Sequence, residues 1–211
     1  MAKFNAKLAY KNLFQTYGPQ KWWPVLHPQN AQFEISIGAI LTQNTAWTNV
    51  EKALTNLYKN NLLLLEAIKT APKSKLAKAI KPAGYFNQKA IKLKKFVKFL
   101  EAEGGFKKLA KLQVPELRKK LLGIWGIGPE TADSIILYAF NKPSFVIDTY
   151  TKRLLAKSGI KFKTYDEYKK YFESRLPKNV KMWNEYHALI VRWGKGHAGR
   201  KGIKKPLGIS H

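Results

Sequence analysis

Apolar residues recur along this chain at intervals of three and four, the signature of amphipathic helices. Residues 1–18 place Phe4, Leu8, Leu13 and Phe14 on one face of a short helix that Gly18-Pro19 ends, and a loop with Trp22-Trp23-Pro24 follows. From Gln32 to Tyr58 the positions Phe33, Ile37, Ile40 and Leu41, then Val50, Leu54 and Leu57, predict two helices joined by the polar turn Thr42-Gln43-Asn44-Thr45. Residues 62–80 and 87–101 read as two more helices parted by Lys81-Pro82-Ala83-Gly84, and residues 106–144 hold a glycine hairpin between apolar helices. Beyond Asp148 come a helix to about Lys157, a helical segment from Tyr165 to Leu176, and a last helix from Val180 to about Trp193. Every periodic stretch is helical, so the expected class is all-α, with no internal repeat and no low-complexity linker.

Charge narrows the partners. Against 13 Asp+Glu the chain carries 39 Lys+Arg, a formal net charge of +26, which favours a polyanion and nucleic acid first. Ribosomal and membrane-surface proteins share that balance, so composition alone does not choose. At 45% hydrophobic and 13% aromatic residues, the chain supports a substantial core and is not of the disordered class. It has no cysteine, which excludes disulfides, zinc thiolate sites and cysteine-held iron–sulfur clusters. It has no long uncharged apolar stretch, and Met1-Ala2-Lys3-Phe4-Asn5-Ala6-Lys7 lacks a signal-peptide apolar region, so a soluble intracellular protein without a membrane partner is expected.

Chemistry concentrates between Leu121 and Tyr150. Gly126 and Gly128 sit between an apolar helix end and a helix opening at Pro129-Glu130-Thr131, an order that aims backbone N–H groups at one point and lets a phosphate come close. The same Gly126-Ile127-Gly128 is also compatible with an ordinary tight connection. Asp148 ends the extended apolar segment Phe145-Val146-Ile147 and precedes the helix from Thr149. Aspartate there is the ordinary N-cap, and a carboxylate fixed in that way also stays anionic and suits a cationic transition state, so the two roles are compatible. Trp22, Trp23 and Trp47 read first as packing residues, as single tryptophans mostly are, and second as stacking surfaces. His187 and His197 have no second ligand at metal spacing, so no metal site is expected.

This order of parts resembles the helix-hairpin-helix DNA glycosylases. Asp148 follows Glu130 by eighteen positions, the spacing at which endonuclease III-like proteins carry their acidic residue beyond a hairpin lysine. In the bifunctional members that lysine forms a Schiff base with C1′. A carboxylate at position 130 makes no imine, so the resemblance implies a monofunctional glycosylase without lyase chemistry there. Phe33-Glu34, Leu41-Thr42-Gln43-Asn44-Thr45, Gly84-Tyr85-Phe86-Asn87-Gln88-Lys89-Ala90, the hairpin with Glu130 and Trp22-Trp23-Pro24 are similar to the cluster-free 3-methyladenine DNA glycosylase III branch, over about residues 20–155. The resemblance implies a base pocket of Trp22, Trp23, Pro24 and Trp47, the last standing where that branch has phenylalanine. It implies duplex wedges Gln43 and Tyr85, backbone contacts at Gly126, Ile127, Gly128, Glu130 and Thr131, and Asp148 as the catalytic carboxylate.

The expectation is thus a two-lobed fold with its active site in a cleft, one lobe of residues 29–144 and the other of 1–28 with 145–211, placing Asp148 near Trp23 and Trp47. The substrate would be alkylated purines in double-stranded damaged DNA, the protein a nucleoid-associated monomer with no cofactor, and a monovalent cation at the hairpin stays open. The competing readings are an endonuclease III-like glycosylase for oxidised or mismatched bases and a non-catalytic helix-hairpin-helix protein. The basic stretch from Gly194 to Lys205 reads as a loop or tail against a phosphate backbone or in solvent. Among Lys201, Lys204 and Lys205 none is assigned to the pocket.

Overall fold

The computed structural model describes residues 4–196, so the tail from His197 onward, with Lys201, Lys204 and Lys205, lies outside the described residues. The described chain is all-α, and it divides into two compact units: Met1–Pro24 with Lys142–His211, and Val25–Asn141. No described helix is long and apolar enough to cross a membrane.

The contiguous unit is built around α2 (Ala31–Leu41), in which every residue from Phe33 to Leu41 is buried. A helix apolar on all sides has to be covered on all sides. It is covered by α3 (Trp47–Lys59), by α6 (Phe86–Ala102) and by α9 (Pro129–Ser134), which runs on as a π-helical turn over Ile135–Ala139. α3 shows only a stripe inward, with Val50, Ala53, Leu54 and Leu57 at helical spacing. Between α3 and α6 lie α4 (Leu65–Thr70), α5 (Lys73–Ala79) and a 3₁₀ turn, Lys81–Ala83. The periodicity over 62–80 predicts one helix, and the structure has two. Pro72 is the cause, because the residue before a proline is driven from helical to extended backbone, and Ala71 has φ −55° and ψ 140°. α7 (Gly105–Leu109) and α8 (Val114–Leu122) lead into the hairpin.

The discontinuous unit packs α1 (Ala6–Tyr17) against α12 (Val180–Gly196), and α12 against α10 (Thr149–Lys157). Asn5 caps α1 by accepting from the Leu8 amide at 3.1 Å, and Gly18, at φ 66°, ends it. α11 (Tyr165–Glu173) starts at a capping box in which the Thr164 hydroxyl accepts from the Glu167 amide and the Glu167 carboxylate accepts from the Thr164 amide. The core is aromatic: the Phe145 and Phe172 rings stack 4.4 Å apart, edged by Tyr186. The stretch from Gly194 does not begin as a tail, since Gly194–Gly196 continue α12. Gly194 is needed inside that helix because a Cβ there would lie 2.1 Å from Tyr150 Cδ1 on α10.

The division falls after Pro24 and after Asn141, whereas the sequence reading put it after residues 28 and 144. Side-chain acceptors explain the difference. The amides of Leu26 and His27 donate to the two oxygens of Glu34 on α2, at 2.6 and 2.9 Å, tying that loop to the contiguous unit. At the other crossing, the Phe145 amide donates to Glu173 at 2.9 Å and the Ser144 hydroxyl meets the Lys169 ammonium, both on α11.

Candidate functional site

In the contiguous unit, the hairpin is a tight turn closed by the Ile127 amide donating to the Ile124 carbonyl at 3.0 Å. Gly126 occupies its third position at φ 86°, where a side chain would be strained, and Trp125 stands beside it 55% exposed. Gly128 then caps α9, with Pro129 in its first turn and Glu130 exposed. Beneath the turn, Asp133 is fully buried and pairs with the Arg118 guanidinium at 3.0 Å, joining α9 to α8. Neither residue of that brace was marked by the sequence, since two charges on separate helices announce no pairing.

Gln43 is bound into this hairpin. Its Nε2 donates to the Gly126 carbonyl and to the Thr131 hydroxyl, each at 2.9 Å, and its Oε1 accepts from Lys92. Tyr85 stands apart: it is 65% exposed and its backbone is left-handed, at φ 44°. A bulky residue held in that conformation costs about 1–2 kcal/mol and presents its ring outward. Trp47 opens α3 half-buried. The buried Lys89 was not marked as a site residue. Its ammonium donates to the Leu41 carbonyl at 2.7 Å and the Ala83 carbonyl at 2.8 Å, and burial pushes its pKa down to about 8.

In the other unit, Asp148 caps α10. Oδ1 accepts from the Thr151 amide at 2.7 Å and the Thr151 hydroxyl at 2.8 Å, so the cap consumes one carboxylate oxygen. Oδ2 lies 3.7 Å from His187 Nε2 on α12. Burial pushes the carboxyl pKa up, but the His187 ring and the Thr151 donors outweigh it and hold the group below the ordinary carboxylate range. The approach to Asp148 is fixed as well, because the Ile147 amide donates to the Tyr165 hydroxyl at 3.1 Å. Trp22 and Trp23 lie half-buried with ring centroids 5.0 Å apart, and Pro24 is exposed. His187 beside a carboxylate is a contact that sequence spacing does not reveal, since its partner is on another helix.

The candidate residues therefore fall into two sets. Asp148, Trp22, Trp23 and Pro24 belong to one unit, whereas Trp47, Gln43, Tyr85 and the hairpin residues Gly126, Ile127, Gly128, Glu130 and Thr131 belong to the other. Among the described residues, no group of three His, Cys, Asp or Glu is placed to hold a metal ion.

A hairpin between two helices, followed by an acidic residue that caps the next helix, is the arrangement of a known class of DNA repair proteins. Residues 37–178 match the family model for HhH-GPD superfamily base excision DNA repair proteins, and the chain belongs to that superfamily, as a DNA glycosylase. Over 199 residues it is 44% identical to a Methanocaldococcus jannaschii protein provisionally named as a DNA repair glycosylase, covering 92% of this chain and 89% of that one. It is 28% identical to endonuclease III of Thermotoga maritima, covering 83% and 78% of the two chains. In structure it is similar to H. pylori 3-methyladenine DNA glycosylase bound to 1,N6-ethenoadenine, with a TM-score of 0.79, 30% identity, and 91% and 98% coverage. An endonuclease III–DNA complex at 20% identity, TM-score 0.77, over 95% of this chain and 91% of that one, shares the fold.

Proposed function

We propose that this glycosylase is monofunctional and releases alkylated purines of the 3-methyladenine type from double-stranded DNA, leaving an abasic site. The observation that carries the reading is Asp148, a carboxylate kept anionic in a half-buried place, with one oxygen spent on the helix cap and Oδ2 left over from it. Cleavage of an N-glycosidic bond builds positive charge on C1′ and O4′, which a fixed anion stabilises most at the transition state. The C1′–N bond breaks with its electron pair going to the base, water adds to C1′, and its proton passes to the Asp148 carboxylate or to solvent. A methylated purine already carries positive charge and leaves as a neutral base, so no general acid is needed.

Specificity rests on the aromatic residues. Trp22 and Trp23 in one unit and Trp47 in the other offer electron-rich faces, and stacking a cationic base on such a ring gains on the order of 1–3 kcal/mol that a neutral purine does not fully gain. The 30% identity with the H. pylori 3-methyladenine enzyme supports the same substrate class. In this reading Gln43 and Tyr85 fill the gap left by the extruded nucleotide, and the hairpin holds the strand by its phosphates. Glu130, in the first turn of α9, offers no amine for an imine, which supports hydrolysis without strand cleavage.

The test is to incubate the protein with methylated, oxidised and mismatch-containing duplexes, identify the released base by mass spectrometry, and add borohydride in parallel. Release of methylated purines with abasic strands left whole and no trapped covalent complex is expected. Release of oxidised pyrimidines or of mismatched thymine instead would move the chain to an endonuclease III-like substrate, and efficient trapping would make another lysine the nucleophile.

A further inference from the structure

Two lysines one turn apart on α6 reach every loop of the contiguous unit that the proposed function assigns to DNA. Lys89 holds the carbonyls of Leu41, at the end of α2, and Ala83, in the 3₁₀ turn before Tyr85. Lys92 lies across the hairpin: a Cβ built on Gly126 would be 2.7 Å from both its Cγ and its Cε, and its ammonium donates to Gln43 Oε1. Gln43 Nε2 has both of its protons on the hairpin, on Gly126 O and Thr131 Oγ1. The whole amide of Gln43 is therefore engaged, and a glutamine inserted in a duplex cannot keep those bonds.

The other half of the observation is the state of Lys92. Its side chain is half-buried, and among the described residues its ammonium meets a neutral amide oxygen and no carboxylate. A cation in that state is under-compensated, and an anionic phosphate oxygen is a stronger acceptor for it than an amide carbonyl. Burial also pushes its pKa down from the ordinary lysine value, in keeping with a charge lacking its counter-ion.

We propose that Lys92 is a DNA-contacting and positioning residue that exchanges Gln43 for a backbone phosphate held at the hairpin, so that capture of the strand frees Gln43 for insertion. This rests on the reading of Gln43 as a wedge. It assigns the coupling between sequence-independent backbone binding and base extrusion to one ammonium group. Undamaged DNA would then loosen the wedge wherever it docks, and a weakened base pair would let insertion finish.

The experiment compares wild type, Lys92→Met and Lys92→Arg on a duplex bearing a non-cleavable abasic analogue flanked by 2-aminopurine. Binding is measured across a salt series, and 2-aminopurine fluorescence follows insertion. Methionine keeps the alkyl stem over Gly126 and removes the charge. For Lys92→Met the slope of log K against log salt should become shallower by about 1, and the fluorescence rise should slow at saturating protein. Lys92→Arg should restore the slope, which separates a phosphate contact from mere packing. An unchanged slope in Lys92→Met, with or without weaker binding, overturns the exchange, as does an unaltered fluorescence rise. Absence of salt-dependent binding by the wild type would instead overturn the DNA-facing reading of this unit.

Discussion

The hairpin and the Asp148 site reach rigidity by opposite routes. The hairpin is mostly local: a glycine at positive φ, a turn closed within four residues, and a proline opening the next helix. Asp148 is held by groups scattered along the chain, with Tyr165 on the amide before it, Glu173 and Lys169 on the segment leading to it, and His187 beside its second oxygen. A local motif can be transplanted and still hold its shape, whereas a site assembled from three helices depends on their packing. The two regions should therefore fail differently when they are disturbed.

The largest effect is expected at the acid itself. Asp148→Asn keeps the shape and much of the cap but removes the anion, so base release should fall about 10²- to 10⁴-fold in single-turnover assays while binding to damaged DNA is nearly unchanged. Unaltered turnover in the folded variant would reduce Asp148 to a helix cap. Disturbing the brace under the hairpin should instead unfold protein. Asp133→Ala leaves the Arg118 guanidinium without its buried partner and should cost about 3 kcal/mol in urea unfolding, with loss of DNA affinity accompanying loss of fold.

A smaller effect, about 1–3 kcal/mol, is expected for Gly194→Ala, because the added methyl collides with Tyr150 and forces α10 away from α12. That change should also lower the rate of base release, since α10 carries the Asp148 cap; a stability loss with unchanged rate would show that the acid tolerates helix movement. The mildest change concerns pH. The folded pKa of Asp148 is depressed, so its contribution is fully present above the unfolded carboxylate value of about 3.9 and is lost as pH falls through the lower folded value. Base release should hold through the ordinary carboxylate range and decline only below it. In His187→Gln, burial is opposed by Thr151 alone, so the acid limb should move to higher pH, and a limb that stays in place would remove His187 from the site.

The helices were legible from spacing, because the apolar stripes of α1, α3 and α12 are local patterns. Pro72 breaks the fourth expected helix through a backbone clash that a count of apolar positions does not register. Gly194 reads as the start of a tail because the stretch it opens is glycine-rich and basic, and only the Tyr150 ring against it explains a glycine inside α12. Asp148 was visible as an aspartate before a helix, and the cap is there. Its neighbour His187 was not, and neither were the roles of Glu34, which accepts from backbone amides, and Lys89, which donates to backbone carbonyls. A backbone atom that recruits a side chain leaves no trace in residue identity.

The unit that carries Asp148 is made from both ends of the sequence, with Phe4 and Tyr10 on or beside α1 packed against Phe172 and Tyr186. The hairpin unit is one uninterrupted segment. On the ribosome, α1 therefore emerges well before α12, its chief packing partner, while Val25–Asn141 has all its own contacts once it leaves the exit tunnel. Chains stalled after Asn141 would hold the hairpin unit whole and lack Asp148. In a cell that makes this protein, the hairpin unit is therefore complete before the unit that carries Asp148, which waits for α12.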